Sequence, residues 1–178
     1  GTDYPVWYRE HGGQVLSTTI DKYCYLSVRY FPPFFPYKHR IVYSRIEEAK
    51  DIQEILHPAV KAVLEFFKVE KGLSIHHDGD LPARTGLGSS SAFTVGLLHA
   101  LHALQQQDIS KKELAQEAVH LEQDILKENV GSQDQVAVTY GGFNKITFSQ
   151  NGEFTVDPIQ VSKETVKELE ASLRLYFT

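Results

Sequence analysis

The sequence predicts an α+β fold, and three observations carry that prediction. Segments rich in β-branched and aromatic residues dominate the first half of the chain. Apolar residues at helical spacing dominate the stretch from Ser89 to about Lys127. An Asn151-Gly152 pair then separates two alternating runs, a hairpin signal. Strands come first and helices later, so the pattern is not an alternating βαβ one.

In chain order, residues 15–28 (VLSTTIDKYCYLSV) read as extended. Residues 29–40 (RYFPPFFPYKHR) hold three prolines, which argue against continuous strand or helix. Read alone, this aromatic loop with its trailing Lys38, His39 and Arg40 is as well a packed surface loop as a substrate lid. IVYSRI resumes strand character, and HPAVKAVLEFF has helical spacing with Pro58 suited to a first turn. GLSIHH is a short strand running into DGDLPARTGLGSSS, and a helix is expected from Ser89 to about Gln106. Ser110 to Glu113 fits a capping box opening a second helix to about Lys127. The hairpin FNKITFSQNGEFTV and a short helix SKETVKELEAS come next. The run from Leu173 to Thr178 reads as the start of another strand, so the chain reads as a piece cut at both ends.

Composition narrows the function classes. The 178 residues are 42% hydrophobic and 23% charged, as in a folded globular protein. The net charge of −5 gives no basic footprint for nucleic acid, so the expected partner is small. No apolar run approaches the roughly 20 residues needed to span a bilayer. The single cysteine, Cys24, excludes an internal disulfide framework and fits a reducing, cytoplasmic compartment. His76-His77 and His99/His102 lack a companion set of zinc ligands.

Three stretches carry chemistry. In TGLGSSSA, Gly86 and Gly88 let the backbone approach a ligand, and the serines sit at a helix N-terminus whose free N–H groups favour an anion. The same residues taken alone fit a glycine-rich turn with a serine N-cap equally well. No lysine precedes the serines, so this is not a Walker loop. On the second helix, stepping 100° per residue puts Leu114, Ala115, Ala118, Val119, Leu121, Ile125 and Leu126 on one face. Glu122 falls in the middle of that face. An ionised carboxylate there needs a cation or good donors, which a buried salt bridge or a metal ion would supply. In ENVGSQDQ, Asp134 sits in a tight polar turn, placed either to orient a hydroxyl nucleophile or to cap the segment after it. A phosphate loop, a buried glutamate and an aspartate together make a phosphoryl-transfer set.

Those residues together resemble the GHMP small-molecule kinases. LPARTGLGSSSAF is similar to the family's second, phosphate-loop motif, GTDY to the tail of its first motif, and GSQDQ to the segment carrying its catalytic aspartate. The whole chain most resembles the heptose 7-phosphate kinase branch, through GTDYPVWYREHGG, TTIDKYCYLSVRYFPPFF, HRIVYS and ENVGSQDQVAVTYGGFNKI. The resemblance implies an N-terminal domain of the ribosomal protein S5 domain 2-like type over 1–172, with a mixed or antiparallel sheet packed with helices. Residues 173–178 would begin a second domain. It implies ATP and Mg²⁺, with Pro82, Gly86, Leu87, Gly88, Ser89, Ser90 and Ser91 at the nucleotide, and Ser90 and Glu122 at the metal. Asp134 would be the catalytic base or orienter, and Asp3, Thr2 and Gly142 would contact the sugar. Implied partners are a sugar phosphate and ATP, with neither nucleic acid nor membrane. A kinase for fucose or galactose, or a silent sugar-sensing homologue, shares most of these features. A sugar phosphate calls for a basic pocket, for which Lys22, Arg29, Lys38 and Arg40 are the unranked candidates.

Overall fold

The computed structural model describes residues 2, 4–82 and 85–174. It is α+β, with two sheets and helices against one face of the larger sheet. Helix α1 (Pro5–His11) leads into β1 (Gly13–Thr18), β2 (Cys24–Tyr30) and the hairpin β3 (His39–Val42) and β4 (Ile46–Ala49). After a 3-10 turn at Ile52–Glu54 come α2 (Pro58–Phe66), β5 (Leu73–Gly79), α3 (Ser89–Leu104) and α4 (Lys111–His120). A π-helical turn (Leu121–Ile125), α5 (Gln133–Tyr140), β6 (Phe143–Phe148), β7 (Phe154–Pro158) and α6 (Lys163–Ser172) complete the order.

The larger sheet runs β2-β5-β3-β4 and is mixed, because β3 and β5 are parallel while the outer pairs are antiparallel. The smaller sheet, β1-β6-β7, is antiparallel throughout. Strict alternation on the large sheet sends Ile41, Ala49 and Ile75 to the core, where Val60, Val63, Leu97, Leu98 and Leu101 from α2 and α3 meet them. A second, smaller core joins Tyr8, Ala115, Val136, Ile146, Phe148 and Phe154.

Several expected elements stand where the sequence puts them. Pro58 opens α2, whose N-cap His57 accepts from the N–H of Val60. The Ser110–Glu113 capping box is formed in both directions. Asn151 and Gly152 turn β6 into β7, with Gly152 at φ 83°. The stretch 15–28 is two strands in two different sheets, broken at residues 19–23. The expected second helix ends at His120, and the π turn carries on from it: Leu126 N–H reaches back to Leu121 C=O at 2.9 Å. The wider turn rotates Ile125 off the apolar face, leaving it 39% exposed. Two helices have no counterpart in the sequence reading. Helix α1 is only seven residues long, and α5 is written in QDQVAVTY, whose β-branched residues read as strand. Burial of Val136 in the second core overrides that propensity. Leu173 and Arg174 belong to no element, and the rest of the expected strand, 175–178, lies outside the described residues.

Candidate active site

The phosphate-loop candidate follows β5 and ends in the first turn of α3. Gly86 and Gly88 have φ of 71° and 72°, in the left-handed region that a side chain would strain. Gly88 is itself the N-cap of α3, and no side chain caps that end. The serine-cap alternative is therefore not what forms. Ser89, Ser90 and Ser91 occupy the first turn, so its backbone N–H groups have no intrahelical acceptor. Ser90 is exposed, Ser89 half-buried and Ser91 buried. Pro82 and Leu87 are exposed at the loop surface.

Two carboxylates meet this turn. Glu122, carried by the π turn, is 2% exposed. Its Oε2 accepts from Ser91 Oγ at 3.0 Å and from the side-chain amide of Gln135. Burial pushes its pKa up, while hydrogen bonds from Thr94, Gln135 and Ser91 pull against that shift. Its Oε1 has no partner among the described residues, and neither does the buried Oε1 of Gln135. Glu122 forms no salt bridge among the described residues, so an ion pair does not account for its burial. Asp134 lies in the first turn of α5, half-buried. A Cβ built on Gly88 would stand 3.5 Å from Asp134 Oδ2, so this carboxylate rests against the loop where Gly88 has no side chain.

The segment holding Asp134 is braced from α1 and the π turn. Tyr8 Oη and Ser132 Oγ lie 2.5 Å apart. Gln123 donates to Ser132 Oγ at 3.1 Å and to Val130 C=O at 3.0 Å, and accepts from Arg9 at 2.7 Å. Thr2 is 6% exposed and donates to the side chain of Gln133, tying the N-terminal motif to the same first turn. Asp3 lies outside the described residues. The N–H of Gly142 donates to Thr19 Oγ1 at 3.1 Å and its C=O accepts from Thr19 N–H, so its backbone groups are already engaged.

The sequence reading missed Gln135 and Ser91 as partners of Glu122, and Tyr8, Gln123 and Ser132 as the brace. The only signal for Gln135 is its place one step from Asp134 in GSQDQ. No pattern in the sequence marks Tyr8 or Gln123, because the bonds that join α1 to the π turn and to Ser132 cross more than 100 residues.

The basic candidates separate by position. β5 spans about 20 Å from Leu73 to Gly79 and the loop follows its Gly79 end. Arg29 and Arg40 pair with Ser74 at the other end, and Lys38 lies there too, its C=O against Gly72. The aromatic loop of residues 31–38 sits at that far end, with Phe31 N–H on Gly72 C=O at 2.8 Å. It is placed away from the phosphate loop and does not cover it. Only Lys22 of the four neighbours the loop end, through Tyr23 and Asp80, whose backbones bond at 3.0 Å.

Among the described residues no three His, Cys, Asp or Glu side chains cluster to hold a metal ion. A Mg²⁺ ion there would need ligands beyond protein carboxylates, which suits an ion that usually takes one or two carboxylates plus substrate phosphates. The unpartnered oxygens of Glu122 and Gln135 beside an uncapped helix start fit such an ion.

Residues 54–142 match the GHMP kinases N terminal domain. The D-glycero-alpha-D-manno-heptose 7-phosphate kinase of Campylobacter jejuni is 30% identical over 190 residues, covering 100% of this chain and 55% of that protein. The crystal structure of a D-glycero-D-manno-heptose 1-phosphate kinase from Bacteroides thetaiotaomicron superposes with a TM-score of 0.85 at 27% identity, covering 97% of this chain and 59% of the other. Mevalonate kinase from Methanococcus jannaschii, at 20% identity and TM-score 0.65 over 85% of this chain and 50% of its own, shares the fold. The chain thus spans between 50% and 59% of the length of these relatives.

Proposed function

The chain belongs to the GHMP kinase family, and we propose that it forms the nucleotide-binding part of an ATP- and Mg²⁺-dependent sugar kinase whose acceptor is the anomeric hydroxyl of a heptose 7-phosphate. The observation that supports this best is convergence on one helical turn. Gly88, the N-cap, lies against Asp134, and Ser91 of the first turn donates to Glu122, although both acids lie more than 30 residues further along the chain.

In this reading the N–H groups from Gly86 to Ser91 receive the ATP phosphates, aided by the positive end of the α3 dipole. Ser90 and Glu122 hold Mg²⁺, which neutralises phosphate charge when bound. Asp134 accepts the proton of the sugar hydroxyl as its oxygen bonds to the γ-phosphorus, and ADP leaves with the electron pair of the broken bond. Asp3, Thr2 and Gly142 border the sugar; for Gly142 the contribution is shape, since its N–H serves Thr19. Residues 1–172 act as the ATP-binding domain and 173–178 lead into the next one. Positioning and electrostatics carry the rate, because phosphoryl transfer asks little covalent chemistry of the protein.

An ADP-release assay on the protein tests this, with a heptose 7-phosphate, mannose, galactose, fucose and mevalonate, each with and without Mg²⁺. Turnover confined to the heptose phosphate with metal is expected. Turnover on an unphosphorylated sugar would keep the kinase and replace the acceptor. ATP binding with no turnover on any of them would favour a sugar-sensing role.

A further inference from the structure

The face of the large sheet opposite the helices carries a row of side chains that the transfer site does not use. Strand pairing aligns Arg29 of β2, Ser74 of β5, Arg40 of β3 and Glu48 of β4 across four strands. Leu73 and Ile75 point into the core, so Ser74 projects to the other face. Adjacent strands are about 4.8 Å apart, which puts the two arginines roughly 10 Å from each other with the small serine between them. The row thus sets a buried hydroxyl between two arginine side chains on the same sheet face.

Two polar atoms of this row lack hydrogen-bond partners among the described residues. Ser74 is 1% exposed, and its Oγ has no hydrogen bond among the described residues. Neither does the buried Nε of Arg40. The ion pairs of the described residues use Lys22, Lys112, Lys145 and three histidines, and none uses Arg29 or Arg40. Arg29 lies over the ring of Phe31, 5.8 Å from its centroid, and Phe31 stacks with Tyr37 at 5.5 Å, so the aromatic loop adjoins the row on the Arg29 side. Glu48, the one acid in the row, forms no ion pair with Arg40 among the described residues, and, after burial, its charge helps to raise the pKa of Tyr37. Buried donors without acceptors are unusual in folded proteins, and these share one row.

We propose that this row is a second anion site, separate from the transfer site, that takes a tetrahedral phosphate group between the side chains of Arg29 and Arg40, drawn apart above the Ser74 hydroxyl. Two planar guanidinium groups flanking a hydroxyl supply converging charge-assisted donors to such a group. The site lies at the opposite end of β5 from the glycine loop and on the opposite sheet face. A phosphate held there is out of reach of the transferred group, so the proposal stands whether or not the kinase reading does.

The arginine Nε–H signals of the ¹⁵N-labelled protein read this directly. Inorganic phosphate is titrated first, then glycerol phosphate as a simple monoester, while the amides of Gly86 to Ser91 report the other site. The Nε–H signals of Arg29 and Arg40 are expected to shift together along one binding curve. Arg29→Gln, an exposed position that leaves the core untouched, should weaken that curve about tenfold without altering the Gly86–Ser91 response. Arg40→Lys, which keeps the charge and loses the planar Nε donor, should weaken it too. Tighter binding of the monoester would identify a phosphorylated metabolite as the ligand, and equal binding would identify free phosphate. Arginine signals that stay in place throughout both titrations, whatever the Gly86–Ser91 amides do, would overturn the proposal. A binding curve unchanged by Arg29→Gln would overturn it as well.

Discussion

Glu122 and Asp134 reach the same end of α3 from different surroundings. Glu122 enters from the core side, 2% exposed, fixed by Ser91 and Gln135, with burial raising its pKa. Asp134 stands half-buried at the start of an eight-residue helix, against a glycine that leaves room for it. A carboxylate that must hold a cation gains from rigidity and low dielectric, whereas one that must receive a proton has to meet the substrate. In the proposed reading, two acids beside one turn differ in role through burial and through what holds them, more than through residue type.

Asp134→Asn should disturb this division of roles most. Turnover in the ADP-release assay should fall by about 10²–10⁴-fold with ATP affinity largely kept, and near-normal turnover would take Asp134 out of the mechanism. Next is Gly88→Ala. It forces a side chain to φ 72° and brings a Cβ to 3.5 Å from Asp134 Oδ2. Urea unfolding should show a loss of about 1 kcal/mol, and turnover should fall along with it.

Glu122→Gln separates the two acids in the opposite sense. Because its folded pKa is raised, the ionised Glu122 burdens the fold above that pKa, and the burden lifts as pH falls through it. The amide removes the charge, so at pH 7 the variant should melt about 2–4 °C higher while its Mg²⁺ requirement rises. A lower melting temperature at pH 7 would contradict this. A smaller change concerns three histidines. Burial lowers the pKa of His39, His57 and His77. Each therefore contributes stability that is whole above the unfolded value of about 6.5 and is lost as pH falls through its folded pKa. His57 also gives up its N-cap acceptor on protonation. The melting temperature should drop between pH 7 and pH 5, and His57→Asn, which keeps a capping oxygen, should flatten that drop.

Much of this region was legible in the sequence because its signals are local. A glycine pair before serines, a capping box and an Asn-Gly turn each act within a few residues, and each forms as expected. Glu122 could be singled out because one charge on an apolar helical face conflicts with its neighbours. The π turn was not legible, since it is bonded to α3 and α5 through Glu122 and packs against α2, contacts that no local pattern announces. The brace of Tyr8, Gln123 and Ser132 and the row of Arg29, Ser74 and Arg40 depend on register between distant segments. Neither leaves a pattern along the chain, and the four basic residues named from sequence could be ranked only once β5 had given them two ends.

Calorimetry of ATP binding with and without Mg²⁺, on the parent protein, Glu122→Gln and Asp134→Asn, puts the division of roles to the test. That division predicts that Mg²⁺ tightens ATP binding in the parent and in Asp134→Asn, and that this increment is lost in Glu122→Gln. An equal Mg²⁺ increment in all three proteins would contradict it and return Glu122 to a purely structural place in the core.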